Sequence, residues 1–169
     1  VKKKTLSSRD RLGIIRDLFA LAEAGTISTT DALEFLSSYK NEDNYIVWLE
    51  IAMGLAQIEQ LLAKTSNGNN LNKLILDLFS PVFLKIGWDS KKNEPHTDIF
   101  LRSLVISRLG CSGHKKIIIE AKNKFKMMQK DKHIHPDIRG IVYSIVAKYG
   151  GIQEYNLFIK KYKEETLHE

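Results

Sequence analysis

Cysteine and proline are both scarce in this chain of 169 residues, and each shortage limits what the chain can be. Cys111 is the single cysteine, so no disulfide can form within the chain. This fits a reducing compartment and leads us to expect a cytoplasmic location. The three prolines leave room for long helices, because proline interrupts them. No apolar run of about 18 residues occurs, so we expect no membrane span.

The first residues have the charge of a signal peptide without its apolar core. Val1 is followed by three lysines, and no continuous apolar segment comes after them. An initiating methionine is also missing. We therefore expect Val1 to be an internal residue of a longer polypeptide.

The net charge is +6, from 26 basic and 20 acidic residues. Such an excess can indicate binding to nucleic acid or to an acidic membrane surface. Here the lysines are spread through amphipathic segments that also contain many acids, which is more typical of a solvated surface. We therefore expect no membrane partner, and nucleic-acid binding is the less favoured interpretation.

Helical periodicity dominates the chain. Apolar residues recur every three or four positions, and polar loops rich in Gly, Asn or Pro separate the periodic segments. The pattern predicts eight helices, with a kink at Pro81 in the fourth, at about 9–24, 28–39, 44–64, 71–86, 98–109, 114–129, 136–149 and from 152 onwards. The longest irregular stretch, 88–96, separates the two halves of the chain.

The second half contains an internal repeat with a spacing of 37 residues. The repeat matches Arg102, Val105, Ser107, Gly113 and Lys124 with Arg139, Val142, Ser144, Gly150 and Lys161. A helix pair of roughly 40 residues cannot bury both of its faces alone, so such pairs stack on one another. We therefore predict a single all-α domain over 1–169, a HEAT-like α-α superhelix. Its antiparallel helix pairs are expected at about 9–40, 44–87, 97–130 and 136–164.

The histidines do not form a metal-binding pattern. His133 and His135 lie two apart in a loop, beside Asp131 and Asp137, but no further residue has the spacing of a zinc ligand. No H-E-x-x-H sequence occurs anywhere in the chain. The pair is better interpreted as two loop histidines, and we predict no metal-binding residues in this chain.

The candidate nucleophile and the paired aromatic residues also fit structural roles better than functional ones. His114 lies three residues from Cys111 in a turn, and Cys111 fits a small packing residue better than a thiolate nucleophile. Tyr45 and Trp48 share one helix face and fit a core stripe better than a platform for nucleobases. We predict no catalytic residues in this chain.

Two arginines, Arg102 and Arg139, hold equivalent positions in the repeat. Each lies near the start of its helix, where the helix dipole disfavours positive charge. The favoured interpretation is a repeated salt bridge, from Arg102 to Asp98 and from Arg139 to Asp137 or Glu154. The alternative is a ladder of arginines that binds an anionic group such as a peptide carboxylate. On that alternative, Arg139 and Arg102 are the candidate substrate-binding residues.

Several segments of the chain carry a family resemblance. Residues 10–22 read DRLGIIRDLFALA, and shorter elements follow them. These elements are Ala32-Leu33, Asn41-Glu42 with Tyr45 and Val47-Trp48, Ile86-Gly87-Trp88, Leu101-Arg102, and Pro136-Asp137-Ile138-Arg139 with Val142-Tyr143. In this order they resemble the C-terminal helical domain of zinc-dependent aminopeptidases of the puromycin-sensitive and tricorn-interacting-factor type, a gluzincin family.

The resemblance implies a helical domain that forms a bowl over a zinc site in an upstream catalytic domain. Family members carry H-E-x-x-H and G-A-M-E-N motifs there, and neither occurs in this chain. The resemblance implies that the full-length enzyme uses zinc to remove N-terminal residues from peptides. This chain would shape the chamber and peptide access, hold no cofactor and be inactive alone. The implied partners are the upstream catalytic domain of the same polypeptide, peptide substrates and a large protease that acts earlier.

A different interpretation stays open from the residues alone. Helical-repeat scaffolds commonly bind other macromolecules, so a basic scaffold that binds protein or nucleic acid is the alternative function. A stand-alone enzyme is least favoured, because no nucleophile, base and orienting group form a recognisable set.

Overall fold

The computed structural model describes residues 5–130 and 134–164. Within these residues the chain is all-α and contains no strand, which confirms the predicted fold class. A 3-10 helix, Leu36–Tyr39, follows the second of the eight α-helices. The α-helices are α1 Ser8–Glu23, α2 Thr29–Phe35, α3 Tyr45–Leu62, α4 Gly68–Ile86, α5 His96–Cys111, α6 Lys115–Met128, α7 Pro136–Tyr149 and α8 Ile152–Glu164.

Polar side chains fix the starts of the first three helices. Ser7 and Asp10 form a reciprocal capping box, in which each side chain accepts a hydrogen bond from the backbone N–H of the other residue. Ser28 accepts from a backbone N–H of α2, and Asn44 accepts from two N–H groups of α3. These bonds satisfy donors that have no partner inside a helix, so the helix starts are set locally.

Two predicted helix starts were wrong by a few residues. The fourth helix begins at Gly68 rather than at 71, because the polar residues before the apolar stripe already take helical geometry. The fifth begins at His96 rather than at 98, directly after Pro95, whose extended backbone forms the N-cap. Pro81 lies inside α4, which continues through it as one helix, and the kink at this position stays a prediction.

The helices pack in pairs that stack on one another. The first helices of the four predicted pairs form one layer, in which α1 packs against α3, α3 against α5, and α5 against α7. Helix α4 packs most closely against α5, and α6 packs against α7. The predicted irregular stretch lies between α4 and α5, and the helices on either side of it are in extensive contact.

One large hydrophobic core extends from α1 to α7. It includes Ile15 of α1 and Ile145 of α7, and a smaller cluster around Phe125 joins α6, α7 and α8. Trp48 is fully buried, and its ring lies 4.8 Å from that of Phe79, centroid to centroid. This confirms that Trp48 belongs to a core stripe.

Helix α3 has an unusually apolar composition. Among the described residues it is the one helix long and apolar enough, by length and composition alone, to cross a membrane, with a mean hydropathy of 1.2. Core helices pass the same test, so this is weak evidence. In this fold 33% of the helix is buried, and it supplies Trp48 and Leu55 to the core.

Candidate functional site

The first candidate residue, Arg102, is buried in α5 and tied to an acid. It is 3% exposed, and its Nη1 and Nη2 donate to the two carboxylate oxygens of Glu94 at 2.8 and 2.6 Å. Nη2 also lies 3.4 Å from the carbonyl oxygen of Ile86. The predicted salt bridge from Arg102 to Asp98 was wrong, because the partner is Glu94. Helical side chains lean toward the helix N-terminus, and this direction takes the guanidinium beyond the first turn to the loop that precedes α5.

The Arg102 pair is electrically balanced. The hydrogen bonds from Arg102, then the backbone N–H of Lys91, lower the pKa of Glu94 to about 2. Glu94 is therefore ionised throughout the neutral range, and its charge compensates that of the guanidinium. Both carboxylate oxygens of Glu94 and both terminal nitrogens of Arg102 are occupied within the fold.

The second candidate residue, Arg139, lies in different surroundings. It is exposed on α7, and its Nε donates to the carbonyl oxygen of Ile134 at 3.0 Å. No salt bridge of Arg139 occurs among the described residues, so the predicted salt bridge to Asp137 or Glu154 was wrong. Asp137 lies 3.3 Å from the ring of His135 instead, and Glu154 accepts from the N–H of Gly151 at 2.8 Å. Substrate binding by Arg139 and Arg102 stays a prediction.

A cleft of about 260 Å³ lies between the loop before α5, the end of α6 and the start of α7, and Arg102 lines it. Lys124 also lines this cleft, 5.2 Å above the ring of Trp88 and within 3.7 Å of carboxylates of Asp89 and Glu120. The basic groups here are thus neutralised by neighbouring acids, which leaves a mixed polar and apolar surface.

A larger groove of about 870 Å³ lies between α1, α2, α3 and the start of α4. Its charged lining consists of Glu23 alone, and the other polar groups are threonine, asparagine and glutamine side chains. The apolar lining includes Phe19, Leu33, Ile58, Leu62, Leu71 and Leu74. The sequence did not indicate this groove, since it joins residues from four separate elements. Its lining fits an uncharged, apolar group.

A buried ion pair that the sequence analysis missed joins the start of α1 to the loop before α3. Arg11 donates from Nε to Oε2 of Glu42 at 2.5 Å and from Nη2 to Oε1 at 2.9 Å, and the two side chains are 8% and 1% exposed. Nη1 donates to the carbonyl oxygen of Leu6 at 2.7 Å. Trp48 donates from Nε1 to the carbonyl oxygen of Glu42 at 3.1 Å. Residues of two resembling segments thus meet in one structural network.

Electrostatics in this network favour the charged forms of both partners. Burial alone would raise the pKa of Glu42, but hydrogen bonds from Arg11 and from the N–H groups of Asn44 and Asp43 outweigh burial and lower it. The hydrogen bond to Glu42 raises the pKa of Arg11. The pair therefore remains ionised and holds the fold together rather than exchanging protons.

His114 and the backbone of Cys111 take part in local structure. His114 accepts the backbone N–H of Ile117 on Nδ1 at 3.3 Å and so caps α6. The carbonyl oxygen of Cys111 accepts from the hydroxyl of Tyr149 at 3.0 Å. His133 lies outside the described residues. Across residues 5–130 and 134–164, no group of three or more His, Cys, Asp or Glu side chains is placed to hold a metal ion.

Comparison with known proteins places this architecture in a family. The model of the ERAP1-like C-terminal domain matches residues 1–169. The chain belongs to this family. The resemblance read from the segments between residues 10 and 143 is thereby confirmed, and the buried Arg11–Glu42 pair lies in two of those segments.

Relatives of this ERAP1-like C-terminal domain are named as aminopeptidases. Aminopeptidase M1-A of Oryza sativa subsp. japonica is 29% identical over 99% of this chain and 20% of its own length. Puromycin-sensitive aminopeptidase of Caenorhabditis elegans is 29% identical over 95% of the chain and 17% of its own length. Alanine/arginine aminopeptidase of Saccharomyces cerevisiae is 28% identical over 97% of the chain and 20% of its own length. The chain thus spans about a fifth of these relatives.

Proposed function

We propose that this chain is the non-catalytic C-terminal part of a zinc-dependent aminopeptidase. In that enzyme it covers the active-site chamber and shapes the access of peptides during removal of their N-terminal residues. The observation that carries the proposal is the family match over 1–169, together with relatives that are aminopeptidases about five times longer. The other four fifths leave room for an upstream catalytic domain, which is the proposed partner within the polypeptide.

We place the proposed zinc ion outside this chain, because the residues that the structure describes do not fit it. The carboxylates of Glu42 and Glu94 are each held by an arginine, and the ring of His114 caps a helix. A zinc site needs three or four such side chains turned toward one point. The inactivity of this chain alone and the absence of a cofactor in it stay predictions.

The geometry supports the role of a wall. Salt bridges join successive helices of the α1, α3, α5 layer, from Arg16 to Glu50 at 3.2 Å and from Arg108 to Glu59 at 2.8 Å. Together with the continuous core they resist sliding between helices. A stiff layer of stacked helices suits a surface that sets the size of a chamber. We propose a cytoplasmic enzyme that trims peptides released by a large protease, and this location rests on the scarcity of cysteine alone.

The experiment compares the longest natural polypeptide that contains this chain with a version that ends just before residue 1. A single-residue chromogenic substrate and a peptide of about ten residues are hydrolysed by both, and kcat/KM is determined for each substrate. If the chain shapes access, its removal changes the ratio of the two kcat/KM values by about tenfold or more, because the remote contacts and the enclosure are lost.

Zinc content is measured in both versions as the control. An unchanged zinc content together with a changed ratio of the two kcat/KM values supports a role of this chain in selecting peptides. Unchanged zinc with an unchanged ratio rejects that role, and zinc-dependent hydrolysis by the 169-residue chain alone rejects the non-catalytic assignment.

A further inference from the structure

Positive charge is concentrated toward the C-terminal half of the chain. Residues 1–90 contain ten basic and eleven acidic residues, whereas residues 91–169 contain sixteen basic and nine acidic residues. The net charge of +6 therefore comes entirely from the second half. This segregation differs from the even spread of charge that the sequence analysis favoured, and the fold shows where the lysines meet solvent.

Helix α6 carries most of this excess, with five lysines and a single glutamate. Lys115, Lys116 and Lys126 are exposed, and Lys122 is half-buried. The glutamate, Glu120, is paired with the fifth lysine, Lys124, on the other side of the helix. Among residues 5–130 and 134–164 the four solvent-facing lysines have no salt-bridge partner.

The spacing of these lysines has an energetic cost. Lys122, Lys126 and the exposed Lys130 lie four residues apart, and like charges at this spacing on a helix repel one another. Each repulsion is worth a few tenths of a kilocalorie, and among the described acids the charge of Glu154 interacts with Lys122 and Lys126. The excess of lysine over acid on α6 leaves positive charge on this face for an external acidic group.

Helix α8 packs beside α6 and adds exposed lysines, of which Lys160 is paired with Glu164 of the same helix at 3.8 Å. Its lysines Lys160, Lys161 and Lys163 are exposed, and Phe158 packs against Phe125 of α6 with 5.2 Å between ring centroids. Glu154, near the start of α8, lies within electrostatic reach of Lys122 and Lys126 of α6. The pKa of Glu154 is lowered, first by the N–H of Gly151 and further by Lys122 and Lys126, which shows that this face favours carboxylates.

We propose that the lysine face of α6, together with the exposed lysines of α8, is a docking surface for an acidic polypeptide segment. Both helices supply their positive charge as lysine ammonium groups, and the apolar side chains between the lysines of α6 fit a polypeptide better than a nucleic-acid backbone. Ile119 and Met127 are 60% and 39% exposed between the lysines, and they offer contacts to aliphatic side chains. A segment rich in glutamate or aspartate with interspersed leucine or isoleucine matches both features. This surface does not depend on the proposed function.

The test measures binding of a fluorescently labelled peptide of glutamate and leucine to the 169-residue chain by anisotropy. The same peptide with glutamine for glutamate is the uncharged probe. We expect the acidic peptide to bind and its affinity to fall at least about tenfold when salt rises to about 300 mM, because surface attractions are screened. Equal affinity for the glutamine peptide overturns the proposal.

Charge reversal then locates the site. The variant Lys116→Glu/Lys122→Glu/Lys126→Glu is expected to weaken binding at least about tenfold, because three attractions become repulsions. The milder variant Lys122→Gln/Lys126→Gln serves if circular dichroism shows that the first does not fold, and about a threefold loss is expected for it.

A matched control carries the same change of net charge elsewhere. Lys40, Lys64 and Lys73 are exposed lysines of the first half, and their replacement by glutamate is expected to change affinity less than about twofold. Equal losses in the two triple variants reject a localised surface. Tighter binding to phosphatidylserine vesicles or to single-stranded DNA than to the acidic peptide rejects a polypeptide as the partner.

Discussion

The buried pair of Arg11 and Glu42 can be tested by replacing the acid with leucine. Glu42→Leu leaves a guanidinium that is 8% exposed without its counter-charge. The backbone N–H groups of Asn44 and Asp43 also lose the oxygen that accepts from them at 2.9 Å. Three elements meet here, because the pair ties α1 to the loop before α3 and Trp48 donates to the carbonyl oxygen of Glu42.

The expected cost follows from what stays behind in the fold. Removing one member of a buried ion pair typically destabilises a protein by about 3–5 kcal/mol, since the other charge remains desolvated. The double variant Arg11→Met/Glu42→Leu removes both charges and should recover much of the loss. In the exposed pair of Arg16 and Glu50, whose arginine side chain is 62% exposed, the matched variant Glu50→Leu should cost less than about 1 kcal/mol.

Urea denaturation at pH 7, followed by circular dichroism, gives the free energy of unfolding for each variant. We expect the loss of unfolding free energy for Glu42→Leu to exceed that for Glu50→Leu by about 2 kcal/mol or more. A loss below 1 kcal/mol for Glu42→Leu would show that solvent reaches the guanidinium in the folded protein. A double variant less stable than either single variant would refute the desolvation account.

Three further predictions concern packing and the response to acid. Gly110→Ala should destabilise the protein by about 1–3 kcal/mol, because the added methyl would overlap the buried side chain of Ile145. Gly54→Ala should cost less, because its methyl meets the ring of Phe19 beside the open groove, and equal losses of the two variants in thermal denaturation would contradict this. Trp48→Ala should cost about 3–5 kcal/mol through a cavity, and a melting temperature within about a degree of the parent would count against a core role. The folded pKa of Glu94, about 2, lies below its ordinary value of 4.5, so its stabilisation is present above pH 4.5 and is lost as pH falls toward 2. In Glu94→Gln the melting temperature should fall less steeply as the pH is lowered from 4.5 to 2. An unaltered dependence of the melting temperature on pH would contradict this role of Glu94.

Local signals predicted the helices better than their partners. Apolar periodicity placed all eight helices, and the repeat correctly aligned Val105 with Val142, which are both fully buried. The boundaries moved where polar residues such as Gly68 and His96 entered a helix without joining its apolar stripe. The 3-10 turn at Leu36–Tyr39 follows from packing, since Tyr39 donates to the carbonyl oxygen of Arg11, which is distant in sequence.

The surroundings of the candidate residues could be predicted only in part, because they depend on loops and on contacts between residues distant in sequence. Repeat position made Arg102 and Arg139 look equivalent, but Arg102 is buried against Glu94 and Arg139 is exposed. The difference lies in the loops, because the residues before the two helices differ and helical spacing gives no information about them. The pair of Arg11 and Glu42 was equally invisible to periodicity, since 31 residues separate its members.

The central position of α5 sets an order of local opening. This helix contacts α3, α4, α6 and α7, whereas no residue of α8 is buried and its main neighbour is α7. Backbone amides of α5 should therefore exchange with solvent deuterium only when the whole core opens, and those of α8 through small openings that leave the core intact. A partner that docks on α6 and α8 would slow exchange in α8 most, so protection there reports on binding without a label.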